Sequence, residues 1–361
     1  MAVTQASLLE GVSRTFALTI PQLPGSLYPA VANGYLLCRI IDTIEDEPTL
    51  HPAEKNHFCL SFRKVIGGNL APHHFSAELY PRLSSATLVA EQELIKHTPA
   101  VIETLFSFNN DQQAALKQCV NVMSKGMAEF QQRVSINGLP DIKALNHYCY
   151  YVAGIVGEML THLFCDYSPA IDAHHDELID LSVSFGQGLQ MTNILKDVWD
   201  DLERERCWLP RDIFNDAGFD LDNLSPGAYT KEFGHGLASL ISIATQHLDN
   251  AMRYTLLIPK QETGIRNFCL WAIGMAMQTL RKINANRDYR SSQQVKISRR
   301  RVQATVACSR LTASHNLLLR GLFKISQTGL PSLVKSNQLT NEYRINLKKL
   351  KPDTPASDRP A

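Results

Sequence analysis

Apolar residues recur along this chain at i, i+3 and i+4, the spacing of an amphipathic α-helix. The pattern predicts helices near 27–46, 52–68, 86–107, 111–134, 141–166, 175–204, 232–257, 263–287 and 299–327. Strand-like alternation between turn residues is scarce. Pro48, Pro140, Pro169, Pro210, Pro226 and Pro259 fall between the periodic segments, where helices stop. No repeat, low-complexity linker or shift of composition marks a boundary. The pattern therefore reads as all-α, with one domain over residues 1–330 and a polar tail over 331–361.

Two segments depart from the usual surface helix. In YLLCRIIDTIED (35–46), Tyr35, Arg39, Asp42 and Asp46 fall within about 60° of arc on a helical wheel, and apolar residues fill most of the remainder. Such a helix is mostly buried and turns one polar stripe toward something polar. In QMTNILKDVWDDLERERCWLP (190–210), Gln190, Asn193, Asp197 and Asp201 form a second stripe with its aspartates again four apart. Asp200 is offset from Asp197 as Glu45 is from Asp42. Like charges at this spacing repel, so a cation is expected between two such helices. Mg²⁺ suits, because it takes one or two carboxylates together with substrate phosphates; Mn²⁺ is the alternative. Each motif alone also reads as a solvated helix end, and the matched offsets favour the metal–diphosphate reading. A di-iron bundle would need Glu-x-x-His pairs, whereas Glu93/His97 and Glu158/His162 are spaced i, i+4.

Composition narrows the class. The chain has 361 residues, 44% of them hydrophobic and 20% charged, enough for a large core and unlike a disordered chain. The net charge of +1 gives no global field for nucleic acid. Eight cysteines are scattered without a CxxC pair and read as small apolar residues in a reducing compartment. The start, MAVTQASLLEGVSRTF, lacks the charged and apolar sections of a signal peptide. No run approaches the roughly 18 apolar residues of a spanning helix.

DTIED and NILKDVWDD resemble the two aspartate-rich motifs of the squalene/phytoene synthase family. Ser13-Arg14-Thr15-Phe16 resembles its N-terminal diphosphate-binding motif. GMAEF (126–130), YCYYVAGIVGEML (148–160), RNFC (266–269) and VKISRRR (295–301) are similar to its squalene synthase branch. The resemblance covers roughly residues 8–310. It implies an isoprenoid-synthase fold, helices around a central cavity. It further implies Mg²⁺-dependent head-to-head condensation of two farnesyl diphosphates through presqualene diphosphate, then reduction by NADPH to squalene. Carried over by position, Asp42, Glu45, Asp46, Asp197 and Asp201 would be metal–diphosphate ligands and Asp200 a helper. Arg14, Arg39 and Lys196 would contact phosphate or NADPH. Ser13, Thr15, Phe16, Tyr35, Gln190 and Asn193 would line the substrate site, with Asn193 also near the cofactor. Tyr151, with Tyr148 beside it, would serve the first half-reaction.

Plainer readings stay open. Arg14 can be a surface residue, Arg39 a structural partner of Asp42 or Asp46, and Tyr148 and Tyr151 core aromatics. Lys296, Arg299, Arg300 and Arg301 open a predicted helix, where cations are unfavourable unless an anion joins them. NADPH phosphates would supply that anion; a solvated basic face or a contact with anionic lipid is the alternative. Either Lys296 or Ser298 can align with the family's first cofactor lysine. Trp271-Ala-Ile-Gly-Met stands where eukaryotic squalene synthases carry Ile-Pro-Gln, and no counterpart of their membrane anchor is expected. The expectation is a cytoplasmic enzyme without nucleic-acid partners, with peripheral contact at the inner face of the membrane as an option for product release. Phytoene or dehydrosqualene synthesis without reduction is the alternative reaction. A non-catalytic helical protein that binds a prenyl diphosphate is the alternative class.

Overall fold

A computed structural model of the protein describes residues 4–13, 16–131 and 135–332. Arg14 and Thr15, and the expected tail from residue 333 onward, lie outside the described residues. Among these, the secondary structure is helical, with one isolated bridge between Leu139 and Pro210. The chain divides into two compact units interleaved in sequence. The first holds Met1–Arg133, Glu158–His175 and Glu262–Phe268; the second holds Val134–Gly157, Asp176–Gln261 and Cys269–Ala361.

In the first unit the main helices are α1 (Gln5–Val12), α2 (Tyr28–Asp46), α3 (Pro52–Ile66), α4 (Val89–Lys96), α5 (Thr98–Phe106) and α6 (Asn110–Gln131). The centre is α2, which packs against α1, α3, α4, α5 and α6. Its Leu36, Leu37, Ile40, Ile41 and Ile44 are fully buried. Gly34 permits the approach of α6: a Cβ there would lie 2.8 Å from Leu116 Cδ2. The expected helix over 86–107 is in fact α4 and α5, broken at His97. Pro99 in the first turn of α5 has no N–H to continue the preceding helix. Periodicity also passed over α1, which a Thr4 capping box starts, and the Pro72–Leu79 helix.

In the second unit, α7 (Ile142–Cys149) runs into a π-helical turn, Tyr150–Gly154, before α8 (Ile155–Tyr167), whose later residues belong to the first unit. The single helix expected over 141–166 is thus interrupted. There follow α9 (His175–Leu202), α10 (Lys231–Leu257) and α11 (Thr263–Ala285), whose residues to Phe268 belong to the first unit. The π turn lies hard against α9. A Cβ on Gly186 would sit 2.2 Å from the Ala153 carbonyl oxygen, and one on Gly157 2.3 Å from that of Ser182. The glycines of Gly186-Gln-Gly188 therefore serve helix packing. Buried His247 lies with Nδ1 2.8 Å from Ser184 Oγ, which also accepts from Asn250 Nδ2 at 2.9 Å. Burial pushes this imidazole down to about 3.

The last helices are α12 (Arg299–Thr312), capped by Ser298, and α13 (Asn316–Gln327). One helix was expected here; the chain turns at Ala313–His315 instead. Every cysteine is a free thiol, and all but Cys308 are buried, as their apolar settings implied. No helix among the described residues is long and apolar enough to cross a membrane.

Candidate functional site

The first acidic stripe forms as its spacing predicts. Tyr35, Arg39 and Asp42 are half-buried and Asp46 is exposed, while their apolar neighbours on α2 are sealed. The Tyr35 hydroxyl donates to the Val12 carbonyl at 3.3 Å and accepts from Arg39 Nη2 at 3.2 Å. The Phe16 ring lies 5.2 Å from that of Tyr35. Ser13 is buried, and its hydroxyl accepts from the Phe16 amide at 2.9 Å. Of the N-terminal motif, Ser13 and Phe16 thus stand beside the stripe.

Arg39 is held between two carboxylates, Asp42 at 3.7 Å and Glu91 at 3.6 Å. Burial opposes its charge; Asp42, Tyr35 and Glu91 outweigh that and hold the guanidinium protonated beyond its usual range. Burial pushes Asp42 up to about 6: Arg39 pulls it down, but Asp46 and Glu91 push it further up. Burial likewise raises Glu91, against Arg39 and with Asp46. Glu91, on α4, is a site residue the sequence reading missed. Nothing in its local pattern marks it, because its partners lie on another helix.

Glu45 takes a different direction. It is buried on the side of α3, where the Lys55 ammonium donates to its backbone carbonyl and its charge acts on the Cys59 thiol. The structure does not bring it onto the stripe of Asp42 and Asp46. Glu47, the last carboxylate of DTIEDEP, is wholly buried and structural. It accepts from the Thr87 hydroxyl at 2.5 Å, the Ser84 amide at 2.9 Å and the Thr49 amide at 3.0 Å. Burial alone would raise its carboxyl, but these donors prevail and hold it down to about 2.

The second stripe lies in the other unit, along α9. Gln190, Lys196, Asp197, Asp200 and Asp201 are half-buried, and Asn193 is exposed. Lys196 Nζ lies 3.1 Å from Asp197 Oδ2. Burial raises the Asp197 carboxyl; Lys196 lowers it and Asp200 raises it. Asp200 is taken up by Ser292, whose hydroxyl donates to it at 2.6 Å. The Tyr289 hydroxyl donates to the Leu195 carbonyl, and its ring lies against Trp199. Ser292 and Tyr289, also missed by sequence reading, tie the 289–292 segment to this stretch of α9.

Tyr151 sits on the π turn, half-buried, its ring 5.5 Å from that of Tyr150. Single π turns inside α-helices gather at functional sites. Tyr148 is buried and stacks on Trp208 at 3.7 Å. Lys296, Arg299, Arg300 and Arg301 are exposed around the start of α12, whose first turn holds no acidic residue. The Lys296 carbonyl accepts from Lys282 Nζ at 2.6 Å.

Residues 9–301 match the squalene/phytoene synthase family. A squalene synthase of Gibberella zeae is 30% identical over 279 residues, 76% of this chain and 57% of that protein. One of Schizosaccharomyces pombe is 28% identical over 285 residues, 78% of this chain and 59% of that protein. The chain thus spans less than two thirds of the length of these curated relatives. Among solved structures, TcSQS in complex with a ligand has a TM-score of 0.72 at 21% identity, over 96% of this chain and 94% of that one. A dehydrosqualene synthase in complex with a ligand has a TM-score of 0.60 at 20% identity, over 85% and 94%. These likenesses are of fold, the all-α isoprenoid-synthase fold.

Proposed function

The chain belongs to the squalene/phytoene synthase family, and from that premise we propose that it is a squalene synthase, a prenyltransferase that joins two farnesyl diphosphates head to head and reduces the product. The observation that carries this is the half-buried carboxylate stripe of α2. Asp42 is raised to about 6 because burial, Asp46 and Glu91 together outweigh Arg39. Such a stripe holds more negative charge than its one guanidinium offsets and suits a hard, oxygen-seeking cation.

The donor set is carboxylate oxygen, which suits Mg²⁺, an ion that completes its shell with water and phosphate oxygens. Asp42 and Asp46 on α2 are one set of oxygen donors for such an ion (or Mn²⁺), and Asp197 and Asp201 on α9 are another. Bound there, the ion would neutralise the leaving diphosphate. Glu45, buried beside α3, and Asp200, which accepts from Ser292, would assist from beside these carboxylates. Arg39 and Lys196 would orient phosphate oxygens; Arg14 belongs to the same reading. Tyr35, Phe16, Gln190 and Asn193 would position the prenyl diphosphate. Tyr151 would move a proton in the first half-reaction, with Tyr148 holding its surroundings through Trp208. NADPH would supply the reducing equivalent. Its phosphates suit the exposed Arg299 and Arg300, with Lys296 nearby, since guanidinium pairs with phosphate in a bidentate fork. An apolar product would pass to a lipid phase, so a cytoplasmic enzyme in peripheral contact with the membrane is part of this reading.

The experiment is incubation with farnesyl or geranylgeranyl diphosphate and Mg²⁺, with and without NADPH, and identification of the hydrocarbon by mass. Squalene formed from farnesyl diphosphate only with NADPH is the expected result. The same unreduced C30 or C40 hydrocarbon in both arms would replace this reading with a dehydrosqualene or phytoene synthase. No turnover, with prenyl diphosphate still bound, would leave the non-catalytic binder.

A further inference from the structure

We propose that α13, with the end of α12, is a docking surface for an anionic lipid bilayer, on which the protein lies without crossing it. The proposal rests on the peripheral membrane contact read above and names its surface; its observations are apolar exposure and charge, not the chemistry of the reaction. Among the described residues thirteen large hydrophobic side chains are exposed, and five of them, Leu311, Leu317, Leu318, Leu322 and Ile325, fall within residues 311–325. On α13 the last four form one arc of about 140°. Leu319 and Phe323 are buried beside it, while Leu317, Leu318, Leu322 and Ile325 are exposed. Leu317 is 85% exposed and Ile325 68%, far beyond a core helix edge. Gly321 lies within this arc, and a Cβ there would meet nothing within 4 Å. A helix that buries one side and offers a second apolar side to water has room for a further apolar phase.

Charge identifies that phase. Between Asp288 and Glu342 the chain has no acidic residue, while eight Lys and Arg fall in residues 289–332. All eight are exposed. Arg320 and Lys324 lie on α13 itself, at about 60° and 20° to one side of Leu317 on the wheel. Their long stems can follow the apolar arc down while the charged heads stay at the headgroup level. The full chain carries only +1, so the cations are segregated here and do not reflect a basic protein. A cationic flank around an apolar arc is the pattern of a helix lying in an anionic interface. A dozen residues of helix rise about 18 Å, short of the roughly 30 Å of a hydrocarbon core, so α13 would lie in the plane of the membrane.

The test is flotation of the full-length protein with phosphatidylcholine vesicles, with and without phosphatidylglycerol, at low and high salt. Expected is binding at least about tenfold stronger to the anionic vesicles, weakened by salt. Leu317→Asp combined with Ile325→Asp should remove most of it, while the thermal melt of the variant stays that of the wild type. Leu317→Ala with Ile325→Ala, which adds no charge, should give an intermediate loss. Turnover assayed in detergent should be unchanged in both variants, so failure of the docking surface and failure of the proposed reaction are separable. No binding to anionic vesicles by the wild type, or equal binding by wild type and the aspartate variant, would overturn the proposal. A wild-type dimer that the aspartate variant dissociates, without vesicle binding, would also overturn it by giving the arc to a second copy of the chain.

Discussion

Arg39 on α2 and Glu91 on α4 form an ion pair, with Nη1 3.6 Å from Oε1, and Arg39 meets Asp42 from its other side. The first acidic stripe is therefore shared between two helices. Glu91→Gln should leave the fold intact and raise the Mg²⁺ concentration for half-maximal turnover by up to about fivefold, the scale of a partly exposed charge worth about 1 kcal/mol. A titration of turnover against Mg²⁺ reads this, and an unchanged midpoint would remove Glu91 from the site.

Asp46→Asn and Asp201→Asn should each reduce turnover at least about a hundredfold, the effect of losing one electrostatic stabiliser. Circular dichroism melts should match the wild type, because Asp46 is exposed and Asp201 half-buried. Near-normal turnover of either variant at saturating Mg²⁺ would defeat the metal–diphosphate reading.

Glu47 should matter for stability alone. Glu47→Gln places an amide where the Thr87 hydroxyl and the Ser84 and Thr49 amides donate. The loss should be about 1.5–3 kcal/mol in urea unfolding, the range for bonds to a charged acceptor, with an unchanged response to Mg²⁺. The native carboxyl is held down to about 2, below the unfolded value of about 4.3. Its stabilisation is therefore complete above the ordinary glutamate range and is lost as pH falls through about 2. Unfolding followed from pH 5 downward should show a shallower acid loss in Glu47→Gln; equal slopes would contradict the assignment.

Gly186→Ala should be costly twice over. Its Cβ would meet the Ala153 carbonyl oxygen at 2.2 Å and carbon at 2.5 Å, so backbone must move. Overpacking of this kind costs about 1–3 kcal/mol. Tyr151 lies two residues from Ala153, and turnover should fall by more than the unfolded fraction explains. A variant with wild-type turnover per folded molecule would uncouple α9 from Tyr151.

The stripe of Tyr35, Arg39, Asp42 and Asp46 was legible in the sequence because it needs only the helical period and one helix. The same period sets Glu45 off the stripe, and it entered the expected ligand set through the family resemblance alone; its side chain is buried beside α3. Glu91, Ser292 and Tyr289 were not legible, since their partners are remote in sequence and no local pattern encodes them. The breaks at His97 and Ala313 escaped because apolar spacing continues across them. Pro99 was the signal for the first; the second carries no comparable breaker. Arg14 and Thr15, named for the substrate site, lie outside the described residues.

The π turn at Tyr150–Gly154 has a consequence for how this stretch tolerates change in length. A π turn holds about one residue more than the α-helical path across the same span. The residues before and after it are thus out of phase by about 100° relative to an unbroken helix. Tyr148 can face Trp208 while Gly157 faces Ser182. Deleting Val152 would let the backbone close into ordinary α-helix with its hydrogen bonds intact, yet would rotate one side's contacts away from the other's. A helix thus survives a missing residue in its count and still loses its neighbours on one side.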